Sequence, residues 1–127
     1  MAHTVLVVED SDELLWSIAN ILDVAGFHVE AALTGHEALD IWGRCKSAEL
    51  VILNYRLPDM SGLRVLQRLR ERGYTASAIA ISGVGDDEVK RSFLSQGECA
   101  FIEKPFDMHT LIHQCKIALQ SSGIMTV

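Results

Sequence analysis

Two features that would assign whole classes of function are absent from this sequence: a long apolar run and a stripe of basic residues. No apolar run approaches the roughly eighteen residues that a membrane-spanning helix needs. The run Val5–Val8 meets Glu9 and Asp10 too early to form the core of a signal peptide. The 127 residues carry a formal net charge of −6, whereas nucleic-acid-binding surfaces are rich in lysine and arginine. We therefore expect neither membrane insertion nor direct contact with nucleic acid.

Cysteine is scarce, and its three residues form no recognisable pattern. Cys45, Cys99 and Cys115 are an odd count and lack the Cys-x-x-Cys spacing of many metal and redox sites. We expect buried or half-buried thiols in a reducing compartment, the cytoplasm. Internal repeats and low-complexity linkers are also absent, and a hydrophobic content of 49% supports one globular domain over residues 1–127. The last segment, Ser121–Val127, is expected to be a frayed tail.

What the sequence does contain is a regular alternation of strand-like and helix-like segments. Aliphatic runs without polar alternation, such as Thr4–Val8, are typical of parallel strands that are covered on both faces. Segments with apolar residues at helical spacing separate these runs. The predicted strands are Thr4–Val8, Phe27–Ala32, Leu50–Leu53, Ser77–Ser82 and Cys99–Ile102. Five such units predict an α/β fold, a doubly wound (βα)5 five-stranded parallel sheet of order 2-1-3-4-5 with helices on both faces.

Capping residues mark the ends of the predicted helices. Thr34 and Glu37 have the capping-box spacing, and Asp107 is placed to cap the last helix. Glycine is placed to end the first, third and fourth helices, at Gly26, near Gly73 and at Gly97, and the fourth is expected to span Asp87–Gln96. The expected inward stripes are Ala38, Leu39, Trp42 and Cys45 in the second helix and Leu111, Ile112, Cys115 and Leu119 in the last.

The predicted strand order brings the carboxyl ends of strands one, three, four and five around one crevice. Two adjacent carboxylates there form a hard oxygen site that suits magnesium. A lysine and a small hydroxyl would bind the oxygens of a phosphoryl group. A nucleophile is missing, because the amide of Asn54 cannot accept a phosphoryl group as a carboxylate can. The residues that arrive at this crevice are Glu9, Asp10, Asn54, Ser82 and Lys104.

Four separated motifs make the chain resemble the receiver domain of two-component response regulators along nearly its whole length: VLVVEDSDE, LVILNYRLPDMSG, AIAISG and FIEKPF. The resemblance implies that Glu9 and Asp10 are the family's acid pair, with Asp10 the more direct ligand of Mg²⁺. It implies that Asn54 stands where the family has its phosphoacceptor aspartate, beside a metal-binding backbone carbonyl at Arg56. The residues matched to the phosphoryl-binding and switch positions are Ser82, Phe101, Lys104 and Pro105.

The resemblance implies a signalling module and not an enzyme: a partner-binding switch within a two-component phosphorelay. The implied partners are a histidine kinase or phosphotransfer protein, a downstream effector, and a second copy bound through the face of the last two helices and the fifth strand. With Asn54 we expect phosphoryl acceptance to be lost and Mg²⁺ binding to be weakened. We also expect Lys104 to turn to Glu9, Asp10 or solvent. A natural degenerate receiver and an engineered Asp-to-Asn change both fit this residue.

Other interpretations stay open at this point. The module could be a phosphorylation-independent interaction adaptor. A flavodoxin-like cofactor binder would need a glycine- and hydroxyl-rich loop after the first strand, where this chain has the acidic segment Glu9–Glu13. A magnesium-dependent phosphohydrolase would need a nucleophilic carboxylate on the first strand and a cap or a longer chain. His109 and His113 have the spacing of a metal pair on a helix, but a solvated face is favoured because no acid or cysteine obviously completes the site.

Overall fold

Strands and helices alternate along the part of the chain that the computed structural model describes, residues 2–83, 87–97 and 99–121. The strands are β1 (Thr4–Val8), β2 (His28–Ala32), β3 (Leu50–Asn54), β4 (Ser77–Ser82) and β5 (Cys99–Glu103). The helices are α1 (Asp12–Val24), α2 (Gly35–Cys45), α3 (Gly62–Glu71), α4 (Asp87–Leu94) and α5 (Met108–Ser121). None of these helices combines the length and apolar character that crossing a membrane requires.

The five strands form one parallel sheet in the order β2-β1-β3-β4-β5, which confirms the predicted topology. β3 lies at the centre, where Leu53 pairs with Val8 of β1 and Asn54 pairs with Ile81 of β4. All residues of β3 and β4 are buried, as expected for strands that are covered on both faces. Because every strand runs the same way, the carboxyl ends of β1, β3, β4 and β5 meet at one edge.

The core consists of two apolar layers, one on each face of the sheet. Alternate residues of each strand face opposite layers, so Leu53 packs with α2 and α3 while Ile52 packs with α1 and α5. α4 joins the first layer through Phe93, which is fully buried. The sheet is therefore covered on both faces, as the continuous apolar strands predict.

The caps expected from the sequence are present. The Thr34 side chain accepts a hydrogen bond from the Glu37 backbone N–H at 3.0 Å, and Asp107 accepts one from the Thr110 N–H at 2.8 Å. The Glu37 carboxylate reaches back to the N–H of Leu33, one residue before the expected Thr34. Ser11 and Ser61 cap α1 and α3 in the same way, and neither had been singled out from the sequence.

Several strands and helices begin or end one or two residues from their predicted boundaries. β2 begins at His28, because the N–H of Phe27 still bonds to the Leu22 carbonyl at the end of α1. α4 ends at Leu94, two residues before the expected Gln96. β3 and β5 each continue for one further residue, to Asn54 and Glu103. Both added residues pair with β4, so the ladder extends through polar positions that apolar patterning does not detect.

Two further predictions need correction. Cys45 is exposed, so the prediction of a buried or half-buried thiol was wrong there; it is the last residue of α2, beyond Trp42, the last residue of the helix that is buried. Cys99 is half-buried and Cys115 is buried, as predicted. Ser121 is the final residue of α5 and not part of a frayed tail. The rest of that predicted tail, 122–127, lies outside the described residues.

Candidate functional site at the carboxyl edge of the sheet

The polar residues predicted to share one crevice are positioned by the strand ends. Glu9 and Asp10 directly follow β1, Asn54 and Ser82 end β3 and β4, and Lys104 directly follows β5. The N–H of Lys104 donates to the carbonyl of Ser82 at 2.7 Å, which ties the end of β5 to that of β4. The parallel sheet thus delivers side chains from four strands to one edge.

Asn54 lies at the centre of this edge and is only 6% exposed. Its side-chain nitrogen Nδ2 lies 2.7 Å from the backbone oxygen of Arg56 and 3.4 Å from Oδ1 of Asp10. Both partners are acceptors, so the NH₂ end of the amide faces them. The structure therefore brings Asn54, Asp10 and the Arg56 carbonyl together, with Asn54 acting as the donor.

Glu9 is a buried carboxylate with an unusual environment, being 2% exposed. One oxygen, Oε2, accepts a hydrogen bond from the Ser11 N–H at 2.8 Å. The other, Oε1, lies 3.7 Å from Nζ of Lys104 and is a buried oxygen without a hydrogen-bond partner among the described residues. Burial raises the pKa of Glu9, although the Ser11 N–H and the Lys104 charge oppose that effect. The predicted turn of Lys104 towards the acid pair is confirmed at Glu9.

The loop that follows Asn54 is held by backbone hydrogen bonds. The Tyr55 N–H donates to the Ile81 carbonyl of β4 at 2.9 Å, and the Gly62 N–H donates to the Tyr55 carbonyl at 2.7 Å. Gly62 has no space for a side chain, because a Cβ there would collide with the backbone carbonyl of Asn54. The path of the loop is therefore fixed from both of its ends.

Asp59, in the middle of this loop, anchors it to the start of α2. Its carboxylate accepts hydrogen bonds from the N–H groups of Gly35 and His36, at 2.9 and 2.8 Å, and lies 2.5 Å from Nδ1 of His36. Burial opposes ionisation of Asp59, but these hydrogen bonds outweigh it and lower the pKa to about 2. Asp59 was not predicted as a site residue, and the only sequence signal was an acid in the loop after β3.

The predicted switch residues differ in how far they are buried. Ser82 is buried at 3% exposure, whereas Pro105 is exposed and follows Lys104 through a cis peptide bond. Phe101 is half-buried on β5, with its ring centre 6.4 Å from that of Phe93. The Phe93 ring lies in turn 6.1 Å from Tyr55, the residue after Asn54. An aromatic contact thus connects the β3–α3 loop to β5 through α4.

A magnesium ion would find only part of its donor set here. Oε1 of Glu9, which accepts no hydrogen bond from the described residues, fits a cation ligand, since a buried carboxylate oxygen needs a donor or a positive charge. Asp10 Oδ1 and the Arg56 carbonyl, in contrast, already accept from the amide of Asn54. Within residues 2–83, 87–97 and 99–121 no group of three or more His, Cys, Asp or Glu could hold a metal ion. His109 and His113 are both exposed on α5.

Comparison with known proteins finds a family that matches most of the chain. Residues 5–116 match the family described as response regulator receiver domain. The chain is 29% identical over 124 residues to the probable transcriptional regulatory protein TcrX of Mycobacterium tuberculosis, with 98% of this chain and 53% of that protein covered. The chain spans about half the length of the curated transcriptional regulators that it matches.

Solved receiver structures share the fold along nearly the whole chain. The CheY-like receiver domain protein of Methanospirillum hungatei gives a TM-score of 0.88 at 27% identity, covering 96% of this chain and 97% of that one. The receiver domain of NtrX from Brucella abortus gives a TM-score of 0.85 at 30% identity, covering 93% and 99%. Strand order and helix placement therefore agree with those of known receivers.

Proposed function

We propose that this chain, which belongs to the response regulator receiver family, is a receiver module that works in two-component signalling through partner binding and does not accept a phosphoryl group. The observation that carries the proposal is Asn54, the buried residue at the end of β3 whose side chain lies against Asp10 and the Arg56 carbonyl. By resemblance, this is the position of the family's phosphoacceptor aspartate.

The chemistry of the side chain explains the expected loss. An aspartate accepts a phosphoryl group through a carboxylate oxygen, which carries charge and a free lone pair. The amide of Asn54 is neutral, and its NH₂ end is the one directed at Asp10 and Arg56. A covalent adduct at Asn54 is therefore not expected, although by resemblance Ser82 and Lys104 match the family's phosphoryl-binding positions.

Magnesium belongs to this proposal only as a weakly bound ion. In receivers the metal balances negative charge during phosphoryl transfer. The groups that would hold it here are Glu9, Asp10, the carbonyl of Arg56 and the side-chain oxygen of Asn54. Because Asn54 adds no charge to that set, we expect weaker binding than with an aspartate.

A receiver module that is not phosphorylated can still signal by binding a partner protein through its surface. We place it on the face formed by α4, β5 and α5, where Phe101 lies half-buried against Phe93. The contact of Phe93 with Tyr55 gives this face a physical connection to the loop after Asn54. The partners proposed are a histidine kinase or phosphotransfer protein, a downstream effector, and a second copy of the chain. The acidic charge of −6 disfavours direct nucleic-acid binding by this chain.

The family match favours this function over the flavodoxin-like and phosphohydrolase alternatives. The segment after β1, Glu9–Glu13, is acidic and offers no glycine-rich loop to a phosphate. A phosphorylation-independent adaptor is the same proposal without a kinase among the partners.

Phosphorylation by acetyl phosphate with Mg²⁺ tests the proposal directly. We expect intact-mass spectrometry to show no phosphoryl adduct on the wild-type chain and an adduct on the Asn54→Asp variant, since the rest of the site is present. Asn20→Asp is the matched control, because Asn20 is exposed on α1 and away from the crevice. A phosphoryl adduct on the wild-type chain would refute the proposal. An unmodified Asn54→Asp variant would show that more than the acceptor has been lost.

A further inference from the structure

We propose that the Asn54 amide and the Lys104 ammonium take the place of a divalent cation in this site. The amide donates to Asp10 and to the Arg56 carbonyl, and the ammonium offsets the charge of Glu9. The inference rests on the proposed function for the identity of the site, and it goes further by stating what makes the site metal-independent. The two groups act on different members of the oxygen cluster, which consists of Glu9 Oε1, Asp10 Oδ1 and the Arg56 carbonyl.

The Asn54 amide serves the side of the cluster nearest β3. One NH₂ group carries two hydrogens, and two acceptors lie beside it: the Arg56 carbonyl at 2.7 Å and Asp10 Oδ1 at 3.4 Å. These are two of the oxygens that would coordinate a metal in a receiver. A donor group between them performs the same task as a cation, because it places positive charge density between oxygens that would otherwise repel one another.

Lys104 serves the opposite side, at Glu9. Its Nζ lies 3.7 Å from Oε1, the buried oxygen that lacks a hydrogen-bond donor among the described residues. A nearby ammonium offsets part of the cost of burying a charged carboxylate. The amide of Asn54 therefore acts on Asp10 and the Arg56 carbonyl through hydrogen bonds, and Lys104 acts on Glu9 through its charge alone.

An aspartate at position 54 would reverse this balance. Its two oxygens are acceptors when ionised, so the Arg56 carbonyl and Asp10 Oδ1 would face a third acceptor in place of a donor. Three carboxylates would then share one crevice with a single lysine, and like charges at such distances favour protonation or a bound cation. Replacing NH₂ with O⁻ at position 54 thus removes a donor and adds a charge, and we expect the resulting site to require a metal.

Thermal unfolding of the whole chain in EDTA and in MgCl₂, together with Mg²⁺ titration by calorimetry, tests the inference. We expect the melting temperature of the wild-type protein to differ by less than about 1 °C between the two conditions, since a ligand stabilises only what it binds. Asn54→Asp should melt lower than wild type in EDTA, recover in MgCl₂, and bind Mg²⁺ at least about tenfold more tightly, because ligand charge sets the affinity. Asn20→Asp, which adds the same charge at an exposed site, should behave as wild type.

Two more variants separate the donors from general effects of charge. Asn54→Ala removes the donor without adding charge, and Lys104→Met removes the ammonium beside Glu9. Both should melt lower than wild type in EDTA and be raised by MgCl₂. An Asn54→Ala variant as stable as wild type in EDTA, or a wild-type protein that binds Mg²⁺ as tightly as Asn54→Asp, would overturn the inference. These results do not depend on phosphorylation, so the proposed function can fail while this inference stands, and the reverse.

Discussion

The surroundings of Glu9 and Asp59 shift the pKa values of these two carboxylates in opposite directions. Burial raises the pKa of Glu9, whereas the backbone N–H groups of Gly35 and His36 lower that of Asp59 to about 2 against the effect of burial. The pKa values differ because both oxygens of Asp59 accept hydrogen bonds, whereas only Oε2 of Glu9 accepts one from the described residues. The ionised form of Asp59 therefore stabilises the fold, by holding the β3–α3 loop on the first turn of α2.

We predict that Asp59→Asn lowers the free energy of unfolding by about 1 kcal/mol near neutral pH, the usual scale of a lost helix cap. The folded pKa of Asp59, about 2, lies below the ordinary aspartate pKa of about 3.9. The contribution of Asp59 is therefore fully present above about pH 4 and is lost as the pH falls through about 2. Urea unfolding from pH 7 downwards measures the difference between the two proteins. It should stay constant to about pH 4 and then shrink.

Asp40→Asn is the control for this prediction, because Asp40 is an exposed acid on α2, the helix whose first turn Asp59 contacts. It should leave the free energy of unfolding within about 0.5 kcal/mol of wild type at every pH. A difference for Asp59→Asn that does not decline below pH 4 would mean that the carboxylate charge is not what holds the loop.

At the scale of single residues, the sequence predicted positions better than it predicted contacts. Asn54, Glu9, Asp10, Ser82 and Lys104 were placed correctly, because a strand end is fixed by local patterning and the sheet edge by topology. The hydrogen-bond partners of these side chains could not be predicted from the sequence. Which end of the Asn54 amide faces Asp10 depends on distances of tenths of an ångström that no pattern encodes.

Among the elements, the junction of β3 and α3 tolerates substitution least. The backbone of Gly62 approaches the carbonyl of Asn54 so closely that a methyl group would require the loop to move. We predict that Gly62→Ala lowers the free energy of unfolding by about 2 kcal/mol, in the range of other overpacking substitutions. Because that movement would also displace Arg56, the variant should lose the hydrogen bond from Asn54 to its carbonyl.

Gly43→Ala makes the same chemical change where the structure has room. Gly43 is exposed in α2, and apart from its chain neighbours and the adjacent helix backbone no atom lies within 4 Å of the added Cβ. Alanine has the higher helix propensity, so this variant should gain up to about 1 kcal/mol. Thermal melts of the two variants should therefore move in opposite directions from wild type. A Gly62→Ala protein as stable as wild type would show that the close approach is not rigid.

Helix ends were predicted correctly where a capping side chain or a glycine marks them locally. Thr34 and Asp107 cap their helices as the sequence indicates, and Gly26 and Gly73 follow theirs with φ of +99° and +97°. Cys45 was misplaced because its helical stripe continues past the last turn that packs on the sheet. Burial at a helix end depends on where the sheet stops, and that is a property of the assembled fold.

For the molecule as a whole, the sheet should be most stable at its centre. β3 and β4 are buried throughout, while the edge strands β2 and β5 contain exposed residues. We predict that amide hydrogens of β3 and β4 exchange with solvent last and those of β2 earlier, since edge strands open without disrupting the core. Exchange followed by NMR or mass spectrometry measures this order. Equal protection of β2 and β3 would indicate that the sheet opens only as one unit.

The fold was predictable because its rules are general. Continuous apolar strands imply a sheet covered on both faces, and right-handed crossovers leave few strand orders to choose from. The observed order β2-β1-β3-β4-β5 is the predicted one. The aromatic contact of Tyr55, Phe93 and Phe101 could not be predicted in the same way, because it joins a loop, a helix and a strand that meet only after folding.

The hydrogen bond from the Tyr55 N–H to the Ile81 carbonyl also bears on the chemical ageing of the protein. An asparagine converts spontaneously to aspartate when the backbone nitrogen of the next residue attacks its side-chain carbonyl and ammonia leaves. Here that nitrogen is engaged with β4, and Asn54 itself is buried within the sheet. We therefore expect deamidation at Asn54 to be slow in the folded state, so that stored protein does not drift towards the phosphorylatable form.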